Sequence, residues 1–255
     1  MASKDSSPAV DVRRAADRSR TKISWLDSKH SFSLGVDNDE QNFHHGVLLV
    51  NNDDTVQPGL GFGTHAHQDM EIVTWVLSGS LVHQDSEGHS GVIYPGLAQR
   101  MSAGTGILHS EKNDAWNMSG SSEHSEPVRF IQMWVPPDET RIAPSYEQLD
   151  VNDSMAPGLL VPVASGLPKH LGQSAIQIKN RYAALHVARL DSGQHVELPD
   201  APFLHLFVAR GNVNLEGAGQ LNEGDAVRFT GTGGHRVSAS TDAEILVWEM
   251  FATLR

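Results

Sequence analysis

The chain contains no cysteine among its 255 residues. This absence excludes disulfide bridges, thiolate metal ligands and cysteine nucleophiles together. Any metal site must therefore be built from histidine, aspartate or glutamate, and the sequence supplies 14 histidines.

Long hydrophobic runs and an excess of basic charge are lacking as well. No stretch approaches the roughly 18 consecutive apolar residues of a membrane span. The first residues, MASKDSSPAVD, lack the apolar core of a signal peptide. Lysine and arginine number 19 against 31 acidic residues, a net charge of -12 that would repel nucleic-acid phosphates. We therefore expect a cytoplasmic protein that contacts neither membranes nor nucleic acid directly.

Three common catalytic signatures are absent from the sequence. It has no G-x-S-x-G nucleophile motif, no Walker phosphate loop and no dinucleotide-binding fingerprint. Nucleophilic and nucleotide-driven reactions are therefore not expected.

Short apolar runs that end in turn residues predict a mainly β fold. Examples are EIVTWVLSGS at 71–80, HLFVARGNV at 205–213 and EILVWEM at 244–250, whose β-branched and aromatic residues are typical of strands in a sandwich or barrel. The best helical candidate is PSYEQLD, residues 144–150.

A weak internal repeat predicts two copies of one β-barrel unit. PGLAQRMSAGTGILH at 95–109 aligns with EGDAVRFTGTGGH at 223–235 with a two-residue gap, and each follows an apolar strand that ends in a glycine turn. The predicted organisation is a disordered arm (1–10), an N-terminal domain (11–136), a packed connector (137–180) and a C-terminal domain (181–255).

Two histidines one residue apart, His65 and His67, begin the alternating run GFGTHAHQDMEIVTWVLSG at 61–79. Residues two apart in a strand share a face, so both side chains can reach one ion. Taken alone, this pair fits a metal site or the solvated face of a strand.

A second stretch, SAGTGILHSEKN at 102–113, adds His109 and, two residues later, Glu111. Three imidazoles and one carboxylate on adjacent strands would leave two positions of an octahedron for water, substrate or dioxygen. Such a set suits iron(II), and also manganese, nickel or copper.

These stretches resemble the two motifs of the cupins. G-x5-H-x-H-x3-E runs from Gly59 to Glu71, and G-x-G-x2-H-x3-N runs from Gly104 to Asn113. More narrowly, the chain is similar to the pirin family, especially to bacterial members described as quercetin 2,3-dioxygenases. The resemblance also rests on WLDSKHSFSLG at 25–35 and HQDSEGHSGVIYPG at 83–96, and it weakens after Pro136.

The resemblance implies a bicupin in which only the N-terminal barrel binds metal. It implies one divalent ion per chain, most often iron(II), with manganese, nickel, copper and zinc as alternatives. The implied ligands are His65, His67, His109 and Glu111. It also implies a monomer.

Several other polar residues have two interpretations. Glu71 shares strand parity with the histidine pair, and either supports the metal site or is a buried structural carboxylate. His83 and His89 flank a predicted hairpin turn and either line the rim of the pocket or, as we expect, are solvated loop residues. In the second half, Glu197 and Pro199 stand at the offsets of His65 and His67, and His235 alone corresponds to His109, so we expect that barrel to be metal-free.

Two functions are consistent with the sequence. The first is a metal-dependent dioxygenase that opens the heterocycle of a flavonol-like substrate, with Glu111 as ligand and proton acceptor. The alternative is a metal-binding redox or stress regulator that acts through a protein partner without catalysis. A third hypothesis is a barrel that is stabilised by metal and catalyses no reaction.

Overall fold

The computed structural model of the protein describes residues 9–33, 39, 42–114 and 126–254. In these residues the regular structure is almost entirely strand, which confirms the mainly β prediction. The helical turns are single 3-10 turns at Ala15–Asp17, Asn152–Ser154 and Pro168–His170. None of the described helices is long and apolar enough to cross a membrane.

The first half of the chain forms a seven-stranded and a four-stranded sheet. The strands are β1 (Ala9–Arg13), β2 (Ser19–Lys22), β3 (Leu26–His30), β4 (Val50–Val56), β5 (Gly61–His67), β6 (Glu71–Ser78), β7 (Leu81–Asp85), β8 (Ser90–Ile93), β9 (Leu97–Ser102), β10 (Ile107–Lys112), β11 (Val128–Val135) and β12 (Ser145–Asp150). The large sheet has the order β12-β9-β6-β11-β4-β3-β2, and the small one the order β5-β10-β7-β8.

The second half repeats this plan. Its strands are β13 (Val161–Ser165), β14 (Ile176–Gln177), β15 (Ala183–Leu190), β16 (His195–Glu197), β17 (Phe203–Arg210), β18 (Val213–Leu215), β19 (Gly219–Leu221), β20 (Ala226–Thr230), β21 (Arg236–Ala239) and β22 (Ala243–Met250). The sheet orders are β1-β20-β17-β22-β15-β13-β14 and β16-β21-β18-β19. The predicted two-unit, cupin-like architecture is confirmed.

The first strand of the chain belongs to the large sheet of the second half. Strand β1 pairs with β20 over Ala9–Arg13, so the prediction of a disordered arm is corrected at residues 9 and 10. Residues 11–13, predicted in the N-terminal domain, also hydrogen-bond to the C-terminal sheet. Residues 1–8 lie outside the described residues, and the domain limits at 136 and 181 stay predictions.

The helix predicted over residues 144–150 is wrong. Ser145–Asp150 is strand β12, which pairs with β9 from Ser145 opposite Ser102 to Asp150 opposite Leu97. A seven-residue helix is marginal in water, whereas the edge of β9 offers unpaired backbone groups along its whole length. The predicted connector thus contributes strands to both large sheets.

The two large sheets pack face to face around one shared core. Its fully buried side chains come from both halves and include Trp75, Ile131, Met133, Leu185, Phe207 and Trp248. The Trp75 Nε1–H donates to Glu244 Oε1 at 2.5 Å across this contact. The halves are therefore joined by buried apolar area as well as by the chain.

The interior of the N-terminal barrel contains a polar layer between two apolar clusters. On β6, Thr74 lies between Ile72 and Val76, which belong to different clusters. On β11, Gln132 lies between Phe130 and Trp134 in the same way. At the corresponding level of the C-terminal barrel, the residues that face one another on three neighbouring strands are all apolar. They are Leu206, Val227 and Val247. Only the first barrel thus has a polar interior at this level.

Candidate metal centre

Strand β10 positions the candidate ligands because it pairs with β5 on one side and β7 on the other. His109 lies opposite His65 of β5, and Glu111 lies opposite His83 of β7. A register shift between His109 and Glu111 interrupts the pairing with β5. The side chains at these positions therefore meet inside the barrel.

Three predicted ligands, His65, His67 and His109, come together. Their ring centroids are 4.8, 4.4 and 4.9 Å apart in the three pairs. His65 Nδ1 lies 2.8 Å from the Gly63 carbonyl, and donation there leaves the lone pair of Nε2 free. That Nε2 is 3.1 Å from His109 Nε2.

This spacing fits a shared ion. Two nitrogens bound to one transition metal at about 2.0–2.1 Å are about 3.0–3.4 Å apart. Burial, with the neighbouring His109 and His65, lowers the pKa of His67 to about 4. Burial, with His65 and His83, lowers the pKa of His109 to about 3. Both imidazoles are therefore neutral near pH 7, which is the form that binds metal.

Glu111 is buried and held by hydrogen bonds from the polar layer. The Gln132 amide donates to Glu111 Oε2 at 2.7 Å, and the Thr74 hydroxyl makes a long contact of 3.5 Å with Oε1. The Trp134 indole N–H donates to Gln132 Oε1 at 3.1 Å, which fixes the amide so that its NH2 faces the carboxylate. Trp134 also packs edge-on against the His67 ring at 4.9 Å.

The ligand atoms form two overlapping groups. In each group, one ligand atom per residue lies within 4.8 Å of the others: His65, His67 and His109 in the first, and His83, His109 and Glu111 in the second. His109 is common to both. The structure thus assembles the predicted histidines and places Glu111 beside one of them, with His83 as an additional neighbour.

His83 is not the solvated loop residue that the sequence predicts. Its side chain is 1 % exposed on β7, and its Nε2 is 3.2 Å from Asp85 Oδ2. The Asp85 carboxylate also lies 3.0 Å from His89 Nδ1. The alternation of LVHQD from the buried Leu81 would have placed His83 on the inner face.

Of the two roles predicted for Glu71, its contacts fit that of a buried structural carboxylate. It is fully buried, and its Oε2 accepts hydrogen bonds from the Ser102 hydroxyl and the Lys179 backbone N–H, both at 2.9 Å. Burial raises the pKa of this carboxyl above its usual value. The prediction that it faces the histidines is wrong, because the turn at residues 68–70 changes the strand parity.

In the second barrel, apolar side chains take the inward positions. Glu197, at the sequence offset of His65, is exposed, while its neighbours Val196 and Leu198 are buried. His235 is half-buried and lies 3.0 Å from the Thr232 hydroxyl. That this barrel binds no metal at these positions stays a prediction.

Family profiles match both halves of the chain. The Pirin family profile matches residues 12–135, and the profile of the quercetinase C-terminal cupin domain matches residues 169–250. A Mycobacterium tuberculosis H37Rv protein with the provisional name quercetin 2,3-dioxygenase is 57 % identical over 246 residues, 96 % of each chain. The chain belongs to the pirin family.

Other pirins extend the comparison. The quercetin 2,3-dioxygenase of Escherichia coli K12 is 31 % identical over 242 residues, which cover 94 % of this chain and 98 % of that one. The crystal structure of the bacterial pirin YhhW from Escherichia coli in complex with nickel(II) superposes with a TM-score of 0.82 at 29 % identity. That match covers 96 % of this chain and all of the other.

Proposed function

We propose that this pirin is a metal-dependent dioxygenase that cleaves the heterocycle of a flavonol. The observation that carries the proposal is the convergence of three imidazoles in the N-terminal barrel, one of which, His109, lies beside the oriented, buried carboxylate of Glu111. The relatives named quercetin 2,3-dioxygenase support the substrate class.

The proposed metal ligands are His65, His67, His109 and Glu111. Imidazole and carboxylate donors together suit iron(II), which is the proposed ion, and also nickel(II), the ion named for the YhhW complex. The bound ion would supply Lewis-acid stabilisation of the enolate that forms when the flavonol loses its 3-hydroxyl proton.

Glu111 is the proposed acceptor of that proton. Its Oε2 accepts a short hydrogen bond from Gln132, whereas Oε1 has the long Thr74 contact, so Oε1 is the less strongly hydrogen-bonded oxygen. Proton transfer requires such an oxygen within hydrogen-bond reach of the substrate hydroxyl. Over the whole reaction, one flavonol and one dioxygen give one carbon monoxide and one ring-opened phenolic ester.

The substrate can approach along an open groove at the ends of β5 and β10. The groove has a volume of about 350 Å³ and is lined by residues that include Ala66, His67, Ile107 and Leu108. Ala66 and Leu108 alternate with the histidines, so they lie on the outer face of the small sheet, where they are exposed and give the mouth of the groove an apolar surface. We propose that the hydroxy-ketone edge then reaches the centre past His67, which is partly exposed.

Glu111→Gln tests the proposed function. The variant should bind iron more weakly and lose flavonol turnover by about 100-fold or more, as expected for removal of a general base that is also a ligand. Glu87→Gln, an exposed change on the β7–β8 turn, is the matched control and should leave both unchanged. Full metal content with full turnover in Glu111→Gln would refute the role of Glu111.

The regulator hypothesis makes the opposite prediction for the unmodified protein. A fully metallated chain that consumes no dioxygen with any flavonol would favour a protein partner over a small substrate. Metal content must therefore be measured on the same sample as turnover.

A further inference from the structure

A second group of metal-binding side chains lies in the C-terminal half. His186 in β15 and Glu249 in β22 are diagonal neighbours on one face, because the two strands pair in antiparallel register. His170, at the end of the 3-10 turn Pro168–His170, completes the group. These residues belong to the large C-terminal sheet and to the 3-10 turn beside it. The first centre, in contrast, lies on the small sheet β5-β10-β7-β8.

The distances in this group fit one ion. His186 Nε2 is 3.0 Å from Glu249 Oε2, and the rings of His170 and His186 are 5.2 Å apart at 82°. One ligand atom from each of the three residues lies within 4.8 Å of the others. Atoms bound to one transition metal are about 3.0–3.4 Å apart. The histidine–glutamate pair already has this spacing, so only His170, on a short surface turn, must move closer.

Ser165 orients the His170 ring. Its Oγ accepts the Leu167 backbone N–H at 3.0 Å and lies 3.0 Å from His170 Nδ1. A second hydrogen bond, from Nδ1–H to the same oxygen, leaves the Nε2 lone pair free, as in other histidine ligands that donate their second N–H.

A lysine ammonium occupies the place where the positive charge of an ion would lie. Lys169 Nζ is 2.5 Å from Glu249 Oε1, and its side chain is 51 % exposed while that of Glu249 is fully buried. The two oxygens of Glu249 lie 2.5 Å from Lys169 Nζ and 3.0 Å from His186 Nε2. The counter-ion of this buried carboxylate is therefore a half-exposed side chain, whose ammonium can be solvated when a metal ion takes its place.

We propose that His170, His186 and Glu249 bind a second divalent transition-metal ion, which displaces the Lys169 ammonium from Glu249 and binds the Nε2 atom of His186. The ring proton of His186 is then carried on Nδ1, so that no proton is lost from the imidazole, and the ammonium becomes solvated. Two imidazoles and one carboxylate suit zinc, cobalt(II), nickel and iron(II). The ion would join the turn Pro168–His170 to β15 and β22 and would stabilise this end of the domain.

This proposal changes two predictions from the sequence. The C-terminal domain would be metal-free only at the barrel positions equivalent to His65 and His67. The metal content would be two ions per chain and not one. The proposal does not depend on the dioxygenase activity.

Zinc binding to the full chain tests the second site. Chelator-treated protein is equilibrated with zinc and desalted, and its zinc is measured by elemental analysis. We expect two ions in the unmodified chain, one in His65→Ala/His67→Ala, and none when His170→Gln is added to that double variant. His195→Gln, an exposed change in the same half, is the matched control and should keep both ions.

Lys169→Met provides an independent test that does not remove a ligand. Loss of the competing ammonium should tighten zinc binding at this site by about five- to tenfold, which corresponds to about 1.0–1.4 kcal/mol. Added zinc should raise the melting temperature of His65→Ala/His67→Ala but not that of its His170→Gln derivative. If His65→Ala/His67→Ala binds no zinc, or if His170→Gln and Lys169→Met leave zinc binding unchanged, the cluster is an ion-pair network and the proposal is wrong.

Discussion

At the scale of single residues, Gln132 orients the Glu111 carboxylate beside His109. Trp134 fixes the Gln132 carbonyl, so the amide NH2 must point at the carboxylate. Gln132→Leu would remove that donor and leave Glu111 Oε2 buried without its partner. We expect a 10- to 100-fold loss of metal affinity, about the range for such supporting groups, measured by competition with a chelator.

The control for this prediction is Gln220→Leu. Gln220 is exposed on β19 in the second half of the chain, so the change has the same chemistry away from the polar layer. An affinity in Gln132→Leu equal to that of the control would show that the amide does not orient the carboxylate.

Asp54, also in this barrel, makes stability depend on pH. Burial, with the neighbouring Asp53, raises the pKa of Asp54 from 3.8 to about 7, against the lowering effect of Ser28. Between these two pH values the folded protein keeps a proton that the unfolded chain has lost, so stability falls as pH rises. The loss is complete above about pH 7 and amounts to a few kcal/mol at most, since one pKa unit corresponds to about 1.4 kcal/mol.

Asp54→Asn should remove this dependence. In urea unfolding of chelator-treated protein, the variant should gain stability relative to the unmodified chain between about pH 4 and pH 8. The exposed Asp114→Asn should follow the unmodified chain throughout. If the free energy of unfolding changes with pH in the same way for Asp54→Asn and the unmodified chain, the raised pKa of Asp54 is contradicted.

At the scale of strands, the close approach of β5 to β10 sets the position of Glu111. A Cβ on Gly61 would lie 2.3 Å from the Glu111 carbonyl oxygen and 2.6 Å from Lys112 Cα, whereas a Cβ on Gly63 would meet nothing within 4 Å. Gly61→Ala must therefore push the two strands apart, at a cost of about 1–3 kcal/mol.

We expect Gly61→Ala to lower both the melting temperature and the metal affinity, while Gly63→Ala changes neither. The two glycines lie in the same strand, so the comparison isolates the contact with β10. If both variants behave alike, the spacing of β5 and β10 does not determine the centre.

The sequence predicted the elements that carry the centre wherever strand alternation was unbroken. His65 and His67 share a face of β5, and His109 and Glu111 share a face of β10 as predicted. The prediction for Glu71 was wrong because the turn between β5 and β6, with Asp69 at φ 48°, resets the alternation. Residues 144–150 were assigned to the wrong element because the free edge of β9 lies more than 40 residues away in sequence, where local patterns carry no information.

At the scale of the whole molecule, the two halves share one core and should unfold together. Leu246 lies in that shared core, and Leu246→Ala should destabilise the protein by about 2–5 kcal/mol. Tryptophan fluorescence and loss of bound metal should then have the same denaturation midpoint. Leu149→Ala, at a half-exposed position, is the control and should shift the midpoint little.

Separate midpoints for fluorescence and metal loss would contradict this single unfolding unit. The internal repeat predicted two related barrels, and the family resemblance predicted which one has the metal ligands. Neither could predict that β1 completes the C-terminal sheet, because that pairing joins residues about 220 positions apart. Such contacts depend on the packing of the two halves and leave no local pattern.

The most direct test of the dioxygenase proposal is the gas balance of the iron-loaded protein with quercetin. The unmodified chain should release one carbon monoxide for each dioxygen consumed, and His65→Ala/His67→Ala should do neither. A fully iron-loaded chain that consumes dioxygen without releasing carbon monoxide, or a double variant as active as the unmodified chain, would contradict the proposed function.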